Sequence, residues 1–330
     1  MKIDAVITWV DGDDPRHRAK REAYGTKKMF GREDVAGSTR FSSLGEIFYC
    51  VASLNRYAPW LNKIYIVTDD QDPKLEGFIS EHFPNGHIPM EIVDHRVIFR
   101  GYEEYLPTFN SIAIESMTWR IPGLSEHFIE FNDDLILAAP TRPEDFFTEE
   151  GRVVCYGKNY NALYVRISHL LRRYKDGSKQ VSYRQTMLNA AKLLGRNNNF
   201  IKIYHTPKPL LRSVYENYFT EHEEHLLRNI GHRFRHASQY NAEELQYLLL
   251  HQMGHLSMRN AYDELLYLKP KRDKDYILDK LREFDRSATH KFGCFNSLDM
   301  MADDGCRLTT AWIEQRIGIK SSERSEESEE

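Results

Sequence analysis

Four short apolar runs in the first half of the chain each stop at a carboxylate, and that repeated stop constrains the fold more than any other feature. Residues 3–10 read IDAVITWV and run into DGDDP; 63–69 read KIYIVTD; 90–95 read MEIVDH; 127–137 read HFIEFNDDLIL. Short runs rich in β-branched residues are buried strands rather than helices. Between them the spacing becomes helical. Leu44, Ile47, Phe48, Val51 and Leu54 form one stripe within 42–57, with Ser42 or Ser43 as the expected N-cap and Pro59 past its end. Residues 110–120 read as another helix. This alternation predicts an α/β fold, Rossmann-like, with a mostly parallel sheet core. In such sheets the loops after the strands gather at one edge, where ligands bind. Asp11, Asp69, Asp94 and Asp133 are expected to converge there.

From about residue 155 the pattern turns mainly helical, with helical spacing in 179–195, 209–229, 241–259 and 274–284. We expect a single domain over 1–320, with an α/β half (1–155) and a largely helical half (156–320). The polar, basic stretch 14–40 reads as a long connection. The last ten residues, SSERSEESEE, hold five Glu and one Arg and equal the whole formal charge of −4. They are expected to form a disordered acidic tail. The remaining body is formally neutral, so no basic field argues for nucleic acid.

Cys50, Cys155, Cys294 and Cys306 form no CxxC pair, which argues against a zinc knuckle and fits buried thiols in a reducing compartment. The beginning, MKIDAVITWVDGDD, lacks a long apolar core and predicts no secretory leader. No apolar run approaches the ~20 residues of a membrane span. A cytoplasmic location is the expectation.

Three constellations carry chemistry. Asn132-Asp133-Asp134 follows a strand, and two carboxylates beside an amide offer hard oxygen ligands for Mg²⁺ or Mn²⁺. Asp11-Gly12 ends another strand, a place that suits a ribose, a base or a metal, and the glycine permits close backbone approach. His205-Thr206-Pro207 sets an imidazole in a stiff turn, suited to acid–base work. The run His232-Arg233-Phe234-Arg235-His236 adds cations that bind phosphate well. His251-Gln252-Met253-Gly254-His255 lacks the glutamate of a zinc protease, and His222-Glu223-Glu224-His225 has the wrong spacing; both are expected to be structural or solvent-facing. No Walker loop or GxGxxG fingerprint is present, which speaks against an NTPase or a Rossmann dehydrogenase.

Together these segments resemble the Stealth family of sugar-1-phosphate transferases, which includes bacterial capsule polymerases and the animal enzyme that tags lysosomal glycoproteins. One block is IDAVITWVDGDDP. A second begins at Arg40 with RFSSLGEIFYCVASLNRYAPWLNKIYIVTDDQ and continues through LPTFNSIAIES, which contains Asn110, to HFIEFNDDLIL. A third comprises the His205 turn and the cluster ending at Arg235. A fourth is KFGCFNSLD, where Ser297 replaces the acidic residue usual after Asn296. The resemblance implies catalytic roles for Asp134, His205 and Arg235. It implies nucleotide-sugar contacts at Asp11, Gly12, Arg40 and Asn110, and metal ligation by Asp133, Asp134 and Asn296.

The reaction so implied moves a hexose-1-phosphate, N-acetylhexosamine-1-phosphate above all, from a UDP-sugar to a glycan hydroxyl. UMP leaves, a phosphodiester forms, and Mg²⁺ or Mn²⁺ assists. Capsular or cell-surface polysaccharide synthesis is the implied setting, with peripheral association to a membrane-bound assembly complex. The rival is a metal-dependent glycosyltransferase of the GT-A kind, which would release UDP. A catalytically dead sugar- or nucleotide-binding module is a further alternative, supported only by Ser297.

Overall fold

The computed structural model describes residues 1–26, 45–165, 167, 182–269, 273–295 and 301–319. Its centre is a five-stranded sheet. Strand β1 (Ile3–Thr8) is flanked by β2 (Lys63–Thr68) on one side and β4 (His127–Asn132) on the other; β3 (Met90–Asp94) lies outside β2. These four strands are parallel, and the order β3-β2-β1-β4 is the half-sheet of a Rossmann-like fold. A later strand, Lys208–Leu211, joins β4 antiparallel and closes the edge. Every central strand is apolar because helices cover both faces: Val6, Ile7, Ile66 and Ile129 are at most 1% exposed.

Helix α1 (Pro15–Tyr24) occupies part of the stretch expected to be a connection. It carries no apolar stripe, so periodicity misses it. Its start is set by Pro15 in the first turn and by Asp14, whose Oδ1 accepts the Arg16 N–H at 2.7 Å. Helix α2 (Glu46–Tyr57) buries Ile47, Cys50, Val51 and Leu54, close to the predicted stripe. It starts later than expected, with Gly45 as N-cap at φ +88, a left-handed geometry that suits glycine. The predicted helix at 110–120 is short: α3 (Ser111–Glu115), followed by a 3-10 turn. The strand over 127–137 breaks at the acidic corner into β4 and β5 (Leu135–Leu137).

The second half is carried by helices α4 (Tyr183–Leu193), α5 (Arg212–Glu221), α6 (Glu223–Ile230), α7 (Ala242–Gln252), α8 (Lys274–Arg286) and α9 (Asp303–Ile317). Short strands thread between them. Strand β6 (Val153–Asn161) pairs with β7 (Asn199–Ile203) and with β9 (Leu256–Arg259); Lys208–Leu211 is β8. Strand β11 (Phe292–Cys294) lies between β10 (Leu265–Tyr267) and β5. One cluster of buried residues runs from Ile3 to Ile319 and draws on both halves.

Candidate active site

The parallel sheet ends its strands on one edge, and the acidic residues there divide into two places. After β1 and β2 lies a cavity of about 450 Å³ whose lining includes Trp9, Asp11, Asp14, Thr68, Gln71 and Asp94. Asp11 is fixed by exchange with Gln71: its N–H donates to Oε1 at 2.9 Å, and its carbonyl accepts from Nε2 at 2.9 Å. Gly12 is buried in the turn. The Trp9 Nε1 and Thr68 Oγ1 are buried polar atoms with no hydrogen-bond partner among the described residues. Such orphan groups suit a polar ligand in the cavity. Asp69, expected to converge with the others, is instead bound by Lys20 of α1 at 2.9 Å.

The second place is the corner between β4 and β5. The Oδ1 of Asp134 lies 2.8 Å from Nε2 of His205, two residues beyond β7. Their side chains are 17% and 31% exposed, sheltered yet reachable. Burial acts to lower the His205 pKa, but the Asp134 charge, the neighbouring Cys294 and the hydrogen bond that His205 donates to Asp134 override it. The imidazole is held well above the usual histidine value. At Asp133 burial, Asp134 and Glu46 likewise raise the pKa, pushing its carboxyl up to about 8 and favouring the neutral acid. The adjacent Asp133 and Asp134, just past β4, offer hard oxygen donors of the kind that suits a divalent cation. Asn296 and Arg40, expected metal and nucleotide contacts, lie outside the described residues, as does the acidic tail.

Behind the pair lies a buried charge network. Strand β8 places Lys208 opposite Glu130 of β4, and the Lys208 ammonium pairs with Glu243 of α7. Burial works against the Lys208 charge, but Glu243 and nearby Tyr183 and Glu115 hold its pKa well above normal. Burial and Glu243 push Glu115 and Glu130 upward. Arg235 and His205 act on Glu115 in the opposite direction, lowering its pKa.

In that loop most cations are already engaged. Arg233 donates to the carbonyls of Glu104, Tyr105 and Pro107, and His232 and His236 both meet Ser238. Arg235 differs: it holds Ser111 Oγ at 2.6 Å, while its buried Nε has no hydrogen-bond partner among the described residues. Asn110 is fully buried and donates to the His232 carbonyl at 2.8 Å and to Gln239 at 3.0 Å, which ties α3 to this loop. Its side-chain oxygen is unpartnered among the described residues. The structure therefore brings Asp134 and His205 together, with Asp133 adjacent in the chain, holds Arg235 at Ser111, and sets Asp11 in the wall of the cavity after β1 and β2 with Gly12 buried next to it in the turn.

Sequence reasoning missed Glu46, Glu115 and Cys294. A ligand atom from each of Asp134, His205 and Cys294 lies within 4.8 Å of the other two. The pairing of β11 with β5 sets Cys294 opposite Leu135, next to the acidic corner. No short-range spacing could signal that contact.

A family model described as Stealth protein CR1, conserved region 1, matches residues 1–29, and one described as Stealth protein CR2, conserved region 2, matches residues 40–155. The receptor polysaccharide phosphotransferase WefC of Streptococcus oralis is 35% identical over 272 residues, spanning 74% of this chain and 77% of that protein. The capsular polysaccharide phosphotransferase WcwK of Streptococcus pneumoniae is 34% identical over 272 residues with the same coverage. Among solved structures, the galactosyltransferase LgtC in complex with donor and acceptor sugar analogs aligns over 96% of both chains. Its 8% identity and TM-score of 0.45 are too loose a likeness to bear on chemistry.

Proposed function

This chain belongs to the Stealth family, and from that premise we propose that it transfers a hexose-1-phosphate, in particular N-acetylhexosamine-1-phosphate, from a UDP-sugar to an acceptor sugar hydroxyl. UMP is released and a phosphodiester forms, in capsular or cell-surface polysaccharide synthesis. The 2.8 Å contact between Asp134 and His205 carries this reading, because phosphoryl transfer to a hydroxyl needs a proton acceptor beside the attacking oxygen. The two groups act as one unit: the His205 imidazolium orients the Asp134 carboxylate, and that carboxylate takes the hydroxyl proton as the oxygen attacks phosphorus. Arg235, with an uncommitted buried N–H, is suited to the charge on the transferred phosphoryl group.

The cavity after β1 and β2, with Asp11 at its wall and Gly12 next to it in the chain, is suited to the nucleoside. Asp133 and Asp134, with Asn296 outside the described residues, would hold Mg²⁺ or Mn²⁺, which would neutralise diphosphate charge. Among the described residues no helix is long and apolar enough to cross a membrane. In this reading the enzyme works in the cytoplasm, peripheral to a membrane-bound assembly complex. The halves 1–155 and 156–320 act as one catalytic domain, as their shared buried cluster supports.

The deciding experiment is a screen of UDP-sugars with nucleotide products separated by chromatography. UMP, with a phosphodiester in the glycan product, is the expected result. UDP in its place would mean glycosyl transfer and overturn the proposal.

A further inference from the structure

Asp134 and His205 share their corner with a fully buried thiol, Cys294. One sulfur, one imidazole nitrogen and one carboxylate oxygen make a donor set unlike the oxygen donors of Asp133 and Asp134 proposed for the working cation. Hard Mg²⁺ gains little from sulfur or imidazole, whereas Zn²⁺ favours both. Tetrahedral Zn²⁺ with bonds of about 2.0–2.3 Å needs donor atoms roughly 3.3–3.8 Å apart. Atoms already within 4.8 Å reach that spacing by small side-chain rotations.

The backbone holds the three residues firmly. Asp134 sits between two paired strands, and its carbonyl accepts the Phe295 N–H at 3.0 Å. Cys294 ends β11, and the turn of His205 is fixed at both ends by β7 and β8. Gly293 permits this packing, since a Cβ there would lie 2.4 Å from the Phe295 ring.

We propose that Asp134, His205 and Cys294 form a zinc-capturing site, and that Zn²⁺ bound there silences the enzyme by occupying the Asp134–His205 pair. The silencing rests on the function proposed above; the binding does not. Because Asp134 belongs to both donor sets, Zn²⁺ and the working hard cation exclude each other.

The test uses the full chain carrying His222→Ala and His225→Ala. Those residues and Glu224 form a separate cluster with ligand atoms within 4.8 Å, which would also take Zn²⁺. Zn²⁺ alone is titrated against a chromophoric chelator. One ion per chain is expected, with binding weakened on the order of a hundredfold or more in Cys294→Ala. Co²⁺ substitution should give a near-ultraviolet thiolate charge-transfer band that disappears in Cys294→Ser, and circular dichroism checks that both variants are folded. In the transfer assay with excess Mg²⁺, Zn²⁺ should inhibit, and Cys294→Ala should shift inhibition to higher Zn²⁺ relative to its own zinc-free rate. Equal Zn²⁺ affinity in folded Cys294→Ala, or a Co²⁺ spectrum without a thiolate band, overturns the site. Zinc bound through Cys294 without inhibition overturns the silencing. Zinc bound through Cys294 in a protein with no UDP-sugar turnover overturns only the function proposed above.

Discussion

Asp134 and His205 stand 71 positions apart in sequence and 2.8 Å apart in space. If they handle one proton together, removing either removes the step. Asp134→Asn and His205→Ala should each lower turnover severely, and the double variant should be little worse than the poorer single one. Additive losses in folded proteins, with chemistry rate-limiting, would show two separate roles. Asp133 gives a prediction on stability. The usual carboxyl value is 3.8, and burial beside Asp134 and Glu46 raises it to about 8 in the folded chain. Between those values the folded state holds a proton that the unfolded chain has lost, so stability falls as pH rises through the interval. In EDTA, Asp133→Asn should therefore melt higher than the parent near pH 8, and the gap should close near pH 4. An equal gap at both values would refute the assigned repulsion. The sequence showed Asp134 and His205 because each sits in a recognisable turn after an apolar run. Glu46 and Glu115 lie inside helical segments, where a glutamate resembles any solvated residue until burial reveals it.

The elements that set this corner are β4 and β8, joined antiparallel with Lys208 opposite Glu130. Lys208 is 6% exposed and its partner Glu243 is 0% exposed. Replacing the ammonium leaves a buried carboxylate without its counterion, which costs about 3–5 kcal/mol. Lys208→Met should lose that much stability in urea titration, whereas Lys208→Met with Glu243→Leu should recover much of it. A single variant as stable as the parent would mean that Glu243 takes up a proton at little cost. Strands β1, β2 and β4 were legible because their runs are nearly all apolar and buried, and β3 because it is a short β-branched run, although Glu91 and Ile92 are exposed. The run FIKIY gave the strand end before His205, which is β7; β6 and β8 to β11 were not legible, since most have only three or four residues and lie between strongly helical segments. Helix α1 was hidden for another reason: PRHRAKREAY offers caps and no stripe.

At the scale of the whole molecule, the far end of the chain returns to the sheet. Tyr49 of α2 donates to Glu314 of α9 at 2.8 Å, and Arg316 Nε donates to the carbonyl of Ala138 at 2.9 Å. Beyond this helix, residues 321–330 carry no aromatic or aliphatic side chain with which to offset ordering entropy. Deleting them should leave melting temperature and turnover unchanged, and a marked loss of either would show that the acidic stretch docks. The late return of the chain also matters during synthesis. Ribosomes add roughly 5–20 residues per second, so the parallel strands emerge well before His205, and Cys294 and α9 follow later still. A chain that ends early lacks the imidazole, the loop arginine and the closing helix, and, because one buried cluster spans both halves, part of its core as well. On the function proposed above, such a chain would be unable to complete the transfer.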